Sequence, residues 1–392
     1  MNSKVLSGVF FILTLSVTGC ITEYNTMLSP NDTKILFVDG SIIENTDVTF
    51  SICQSFPLNV DVVPEESFIN NAVVNIIGSN GYKSSSATNQ GRGTYLISVG
   101  ELDDDVAYGV QIEYSGDTYQ SALSKPVYTP EIDSVSWSQP DSTGMVSFHV
   151  STHNNRGESE FYIWNYTEDW EIKSAYATAI FYNPEENNFY ADFSTPYYYC
   201  WRKDESNRLL VASTESLKEN RIVNRQLYGH DSEDSRFSIL YSVNVKQKAI
   251  SKGAYEYYQN IVLLNEEMGG LFTPQPSELT GNITCITDPS KKVMGYVETA
   301  KNISQKRIFV YREQLTRPNV HPDCAPLEKG NLPGPEEYAK MYNRGFRPAM
   351  IDYDYNISVT LLPSEWALSH CTDCTNNGGT KNKPDFWPND HQ

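Results

Sequence analysis

One stretch of the chain limits the architecture more than any other. Between Phe237 and Lys246, the residues Phe237, Ile239, Tyr241, Val243 and Val245 alternate with Ser238, Ser242, Asn244 and Lys246. A period of two sends successive side chains to opposite faces, so one face is apolar and the other polar. That is an antiparallel strand with a core on one side and water on the other, and its apolar face has to meet a second layer. The whole composition leans the same way. Tyr occurs 26 times and charged residues make up only 20%, which suits a pleated, half-buried surface and not a disordered chain. With 392 residues there is room for two or three domains. The fold class predicted is all-β.

Shorter signals mark out the domains. Leu36 to Val38, Ala72 to Ile77, Thr94 to Val99, Ala107 to Tyr114 and Thr118 to Ala122 are predicted strands. Asn80-Gly81 and Ser115-Gly116-Asp117 provide turns between them, Asn-Gly suiting a two-residue hairpin. Short strands at this spacing predict a small sandwich over residues 35–130. A second β-rich domain is predicted over 131–315, with strands at Lys292 to Glu298 and Arg307 to Tyr311. It is interrupted by one helix near 252–268, where Ala254, Tyr257, Tyr258, Ile261, Leu264 and Met268 form one stripe and Gly269-Gly270 stops it. From 316 to 392 prolines dominate, predicting a loop-rich segment packed on the second domain, with a short helix at Glu336 to Tyr342 and a strand at Ile357 to Leu361.

The N-terminus fixes the expected compartment. Lys4 precedes an apolar run from Val5 to Val17, too short for the roughly 20 residues a membrane helix needs but suited to a signal peptide over 1–19. Val17-Thr18-Gly19-Cys20 then resembles a lipobox, in which Cys20 is acylated and becomes the new N-terminus. Several acyl chains, at about 0.8 kcal/mol per buried methylene, would hold the protein on a membrane durably. Residues 20–34 are polar and punctuated by Pro30, a lipidated tether reaching roughly 40 Å at about 3.3 Å per residue. The net charge of −19 disfavours nucleic acid, which wants a basic footprint.

Of seven cysteines, six follow Cys20: Cys53, Cys200, Cys285, Cys324, Cys371 and Cys374. An even number in an exported chain favours disulfides, with Cys324 expected to pair with Cys371 or Cys374. His321-x-x-Cys324 with Cys371-x-x-Cys374 also has zinc-ligand spacing, and Cys371-x-x-Cys374 alone could be a redox pair. The consecutive acids Asp103, Asp104 and Asp105 suit a solvated turn better than a calcium loop. The cluster Tyr190, Phe193, Tyr197, Tyr198, Tyr199 and Trp201 is either core or a contact surface, with Tyr198 and Trp201 the candidate ligand or partner contacts. No hydrolase, Walker or dinucleotide motif occurs. No catalytic residue, metal or cofactor is assigned.

The fragments "LFVDGSI", "GDTYQSA", "IDSVSW", "YYYCW", "GGLFTPQPSELTGNI", "MGYVETA" and "CTDCTNNGGTKNKPDFW", in that order behind the lipobox, carry a resemblance. Together they resemble a Bacteroidota outer-membrane lipoprotein family catalogued as domain of unknown function 4249. The resemblance implies an N-terminal immunoglobulin-like sandwich followed by a larger β-rich sandwich domain. It also implies an accessory role beside a SusC-type TonB-dependent transporter, with lipid anchoring in the outer membrane facing the cell exterior, and it supplies no catalytic residues. Only one acid, Glu23, closely follows Cys20, where some surface-exposed lipoproteins of this phylum carry a run of acidic residues. The expected function is thus a non-enzymatic transporter partner in nutrient capture. A stand-alone adhesin or glycan-binding lipoprotein and a surface hydrolase are the alternatives.

Overall fold

The computed structural model describes residues 34–56, 62–140, 144–157, 159–176, 178, 180–191, 197–267, 279, 281–316, 324, 328–329, 335–349 and 365–388. The leader, Cys20, residues 20–33 of the tether, Gly269-Gly270 and the strand expected at Ile357 to Leu361 lie outside the described residues.

The first sandwich is built from β1 (Leu36–Asp39), β2 (Ser41–Ile43), β3 (Asp47–Gln54), β4 (Val73–Gly78), β5 (Thr88–Gly91), β6 (Thr94–Ser98), β7 (Tyr108–Tyr114) and β8 (Asp117–Ser121). One sheet runs β1-β3-β6-β5 and the other β8-β7-β4. Alternation decides what faces inward. Val48, Phe50 and Ile52 of β3 enter a shared core with Val74, Ile76, Val110 and Ile112 from the opposite sheet. The β7–β8 hairpin places Tyr114 opposite Asp117, with Ser115 at φ 54° and Gly116 at φ 83°. Two consecutive left-handed residues match the right-handed strand twist, which is why a glycine is useful there. Asn80-Gly81 departs from the two-residue turn expected. Asn80 Oδ1 accepts from the Tyr82 amide (3.0 Å), and Gly78 N donates to Tyr82 O (2.8 Å). The side-chain bond draws Ser79, Asn80 and Gly81 into a three-residue loop.

The second sandwich comprises β9 (Ile132–Ser138), β10 (Met145–His153), β11 (Phe161–Lys173), β12 (Ile180–Asn183), β13 (Asn188–Ala191), β14 (Tyr199–Glu205), β15 (Leu210–Ser213), β16 (Arg221–Asp231) and β17 (Leu240–Ala249). Helix α1 (Lys252–Glu267) follows, burying Ala254 beside Phe161 and Ile250 and Tyr257 against Tyr258 and Tyr296. The sheet β16-β10-β9 faces the sheet β14-β11-β17, to which β15 also pairs. Their shared core holds Phe148, Val150, Trp164, Tyr166, Tyr241 and Val243. Tyr241, Val243 and Val245 are all fully buried, so the alternating stretch does form a core strand. Its start differs from the reading above. Ser235–Phe237 is a 3-10 turn capped by Asp234, Phe237 reaches the core from that turn, and Ile239 packs with Trp201 instead. The same alternation continues past Val245, through Gln247 to Ala249.

The chain then returns to the first sandwich. β18 (Ile283–Cys285) pairs antiparallel with β8, and β19 (Val293–Met294) and β20 (Glu298–Ala300) pair in parallel with β1 and β2. The boundary at 131 therefore misassigns these residues: 283–300 complete the first sandwich, with Ile283, Cys285 and Val297 in its core. The physical reason is edge protection, since β18 and β19 cover strand edges that β8 and β1 would otherwise present to solvent. Gly295, at φ 141°, permits the approach; a Cβ there would lie 2.0 Å from the Val38 carbonyl oxygen. β21 (Ser304–Tyr311) goes back to pair with β17.

Two strand-to-strand crossings therefore join the sandwiches, and Thr129 meets Asn302 where they run side by side. Thr129 N donates to Asn302 Oδ1 (2.9 Å), Asn302 Nδ2 to Thr129 O (2.8 Å), and Thr129 Oγ1 to Asn302 O (2.7 Å). The C-terminal part adds β22 (Glu328–Lys329), α2 (Pro335–Asn343), β23 (Phe346–Pro348), β24 (Glu365–Leu368) and the single turn α3 (Ser369–Thr372). Met341 of α2 and Trp366 of β24 pack with Tyr182 of the β12–β13 hairpin.

Candidate functional site

The outward face of the second sandwich is a trough whose floor follows from strand register. Ile163, Asn165, Thr167 and Asp169 of β11 stand opposite Lys248, Lys246, Asn244 and Ser242 of β17. β21 brings Arg307 beside Asn244, and β14 brings Lys203 beside Asp169. Because cross-strand partners share a face, these side chains form one polar surface. Two cavities open on it. One of about 510 Å³ lies against the first sandwich, with Asp39, Ser41, Asp47, Lys248 and Tyr258 in its walls. The other, of about 390 Å³, lies under the C-terminal segment, with Arg202, Lys203, Arg307, Asn382 and Phe386. Lys246 lines both, so the cavities adjoin.

The cavity against the first sandwich ends in a polar junction. Lys248 Nζ donates to Ser41 Oγ (2.5 Å). Burial lowers the ammonium pKa, against the opposing pull of the Glu298 and Asp39 carboxylates. Burial likewise raises the Glu298 carboxyl, although the Ser251 amide donates to its Oε1 (2.9 Å) and Lys248 favours its charge. Burial also raises the Tyr258 hydroxyl. The Lys248–Ser41 hydrogen bond and the attraction between the Lys248 and Glu298 charges both act across the seam between the two sandwiches.

The second cavity has a different character. Arg307 Nη1 donates to Asp169 Oδ2 (2.7 Å) and Ser242 Oγ (2.9 Å), with its guanidinium 3.5 Å from the Phe386 ring centre. Lys203 pairs with Glu205 (2.7 Å), a hydrogen bond that holds the Glu205 carboxyl below its ordinary range. Arg202 lies 5.2 Å over the Trp170 ring. Neither Arg202 nor Lys246 forms an ion pair among the described residues. The far wall is the segment after Cys374. Trp201 and Thr380 exchange backbone hydrogen bonds (both 2.8 Å), and Trp387 packs into a cluster with Trp201 and Leu240. Trp387 Nε1 also donates to Glu171 Oε2 (3.3 Å); burial pushes that carboxyl up to about 7, with the Trp387 bond and the Lys383 charge working against the rise.

The residues singled out from the sequence fall in several places. Cys20 lies outside the described residues. Cys200 is bonded to Cys374, and Cys324 to Cys371. The zinc and redox readings are overturned, because each sulfur they need is already in a disulfide and Cys371 and Cys374 have different partners. Among the described residues, Cys324, His370 and Cys371 are close enough to suggest a metal group, but two of the three are bonded to each other. Cys53 and Cys285 are thiols, not half-cystines. Cys53 follows Asp47, Thr49 and Ser51 on the outward face of β3, whereas Cys285 points into the core from the other sheet. Burial raises the Cys53 thiol pKa, and Cys285 Sγ lies 3.3 Å from Thr287 Oγ1.

Trp201 is 8% exposed and belongs to the Trp387 cluster, while Tyr198 is half-buried and meets Tyr199 edge-on at 4.7 Å. The aspartate run is a turn: Asp103 Oδ1 accepts from the Asp105 amide, and Asp104 and Asp105 pair with Lys301 and Lys125. A buried network also escaped the sequence reading. Glu168 accepts from the Tyr241 hydroxyl and lies 2.6 Å from His230 Nε2, and Tyr228 meets Tyr241 at 2.7 Å. It lies between the sheets and lines neither cavity. The cavity residues were missed for a simple reason. Asn244 and Lys246 stood on the polar side of the strongest strand and looked like solvent-facing positions, and Phe386 and Trp387 lay in a tail without period.

Among solved structures, a two-domain fibronectin type III segment of chicken tenascin is similar at 13% identity, covering 54% of this chain and 90% of that one, with a TM-score of 0.15. A Salmonella alpha-2-macroglobulin reacted with methylamine is similar at 10% identity, covering 57% of this chain and 14% of that one, with a TM-score of 0.16. Similarity at this level says nothing about function. No curated protein matches the chain. A family profile matches residues 21–306, well over half of the sequence, and the chain belongs to that family, described as Domain of unknown function (DUF4249).

Proposed function

We propose that the protein is a lipid-anchored outer-membrane lipoprotein, facing the cell exterior, that acts as the accessory binding partner of a TonB-dependent transporter in nutrient capture. The observation that carries this reading is the leader ending at Val17-Thr18-Gly19-Cys20, with the family match starting at the next residue. Two disulfides in the folded body agree with a compartment outside the reducing cytosol. The trough agrees with capture, since concave sites between domains are where ligands are commonly held. The role is binding, not catalysis.

The test is purification of the full-length protein from native outer membranes in mild detergent. A β-barrel recovered in about equal amount is the expected result, and Cys20→Ser should move the protein into the soluble fraction. A clean monomer from native membranes, or a serine variant as firmly membrane-bound as the parent, overturns the proposal. Ligand capture by a full-length protein that recovers no barrel would favour a stand-alone glycan-binding lipoprotein.

A further inference from the structure

The cavity against the first sandwich lies between two sheet faces of opposite charge. Val38, Val48 and Phe50 point into the first core, so alternation turns Asp39 and Asp47 outward, into the cavity wall. On the other side Val245 and Gln247 point into the second core, which turns Lys246 and Lys248 to the cavity beside their cross-strand partners Asn165 and Ile163. One wall thus carries two carboxylates and the other two ammonium groups. None of the four forms an ion pair among the described residues. Asp47 accepts from the Ser98 hydroxyl, and Lys248 donates to Ser41 Oγ alone, which leaves two of its three N–H donors unused among the described residues. Glu205 feels the Lys246 charge but is paired with Lys203. The seam bonds of Thr129 with Asn302 and of Lys301 with Glu44 fix the spacing, so the walls do not collapse onto each other. Unlike charges held apart across a gap create a field that orients a dipolar ligand.

We propose that this cavity binds a short peptide with free termini, its ammonium on Asp39 and Asp47 of the first sandwich and its carboxylate on Lys246 and Lys248 of the second. Between the charged ends, the amide of Asn165 and the hydroxyl of Tyr258 have no hydrogen bond among the described residues and are open to the peptide backbone. Ile43, Ile163 and Leu209 supply apolar wall for a side chain. A volume of about 510 Å³ lies within the range of roughly 300–1,000 Å³ usual for small-ligand sites. Because the walls are already fixed by the seam, little ordering is needed on binding. The site deepens the capture role proposed above and rests on it only in treating the peptide as cargo.

The test is calorimetric titration of the full-length protein in detergent with alanyl-leucyl-alanine, its N-acetylated form and its C-terminal amide. The peptide with both ends free should bind at least about tenfold more tightly than either blocked form, with affinity falling as salt rises. Asp39→Asn and Lys246→Ala change exposed side chains, so thermal midpoints should stay unchanged while each variant binds the free peptide about tenfold more weakly, the scale of one charge-assisted hydrogen bond. Asp39→Asn should also lose its preference for the free amino end, and Lys246→Ala should discriminate less against the amide. Equal binding of free and blocked peptides, a penalty for blocking one end only, no binding at all, or variants that bind like the parent overturns the site. Recovery of the β-barrel with both variants separates the two proposals, because a barrel retained without peptide binding defeats only the site. Peptide binding without a barrel defeats only the partnership.

Discussion

Glu171 sits beneath Trp387 with no exposed surface, and burial lifts its carboxyl from 4.5 to about 7. Between those two values the folded chain keeps a proton that the unfolded chain has released. Stability therefore falls as pH climbs through that window and levels off above about 7. Lys383, Trp387 and Tyr199 are among the groups that interact with this carboxyl. Thermal midpoints measured from pH 5 to 8 should decline more steeply for the parent than for Glu171→Gln; identical slopes would contradict the assignment. Gln247 is a second residue on which much depends. It accepts from Trp164 Nε1 (2.8 Å) and donates to Pro130 O (2.9 Å) and Thr152 Oγ1 (3.0 Å), all inside the core. Gln247→Leu would strand the indole N–H and the Pro130 carbonyl, at a cost of about 2–4 kcal/mol in urea unfolding.

At the scale of elements, the disulfides hold the C-terminal part to the second sandwich. Cys200 of β14 and Cys374 are 174 residues apart, and breaking that link releases the segment carrying Phe386 and Trp387. Cys374→Ser should cost about 2–4 kcal/mol and open the tail to protease, as read by mass spectrometry of the fragments. An undiminished stability together with an uncut tail would count against the link. The elements also show what the sequence made legible. β17 could be read because alternation reports burial directly, and α1 because its stripe kept a helical period. Cys324 with Cys371 was among the pairings expected, whereas Cys200 with Cys374 was not, because strand pairing across such a separation leaves no local trace. Thiols at Cys53 and Cys285 could not be told from half-cystines, since sequence does not place them on different sheets. The cavity was illegible too: its floor exists only once β11, β14, β17 and β21 lie side by side, and its roof comes from the far end of the chain.

Across the whole molecule, the two sandwiches share a seam of backbone and side-chain bonds. Thr129 is fully buried there, its amide, carbonyl and hydroxyl all engaged with Asn302. Lys301 adds bonds to Glu44 (2.8 Å) and the Leu102 carbonyl (2.6 Å), which holds the Glu44 carboxyl below its ordinary value. Domains so joined should melt in one calorimetric transition. Asn302→Ala removes both side-chain bonds to the Thr129 backbone, and it should lower stability by about 2–4 kcal/mol and begin to resolve two transitions. Two separate transitions in the parent would mean that the seam carries little coupling.

The strands that come back at residues 283–300 set an order of events during biogenesis. A polypeptide made amino end first cannot finish its leading sandwich until some three-quarters of its length has been delivered. Until then the margins of β1 and β8 stand open, and a chaperone that shields such margins is the helper this topology would most need.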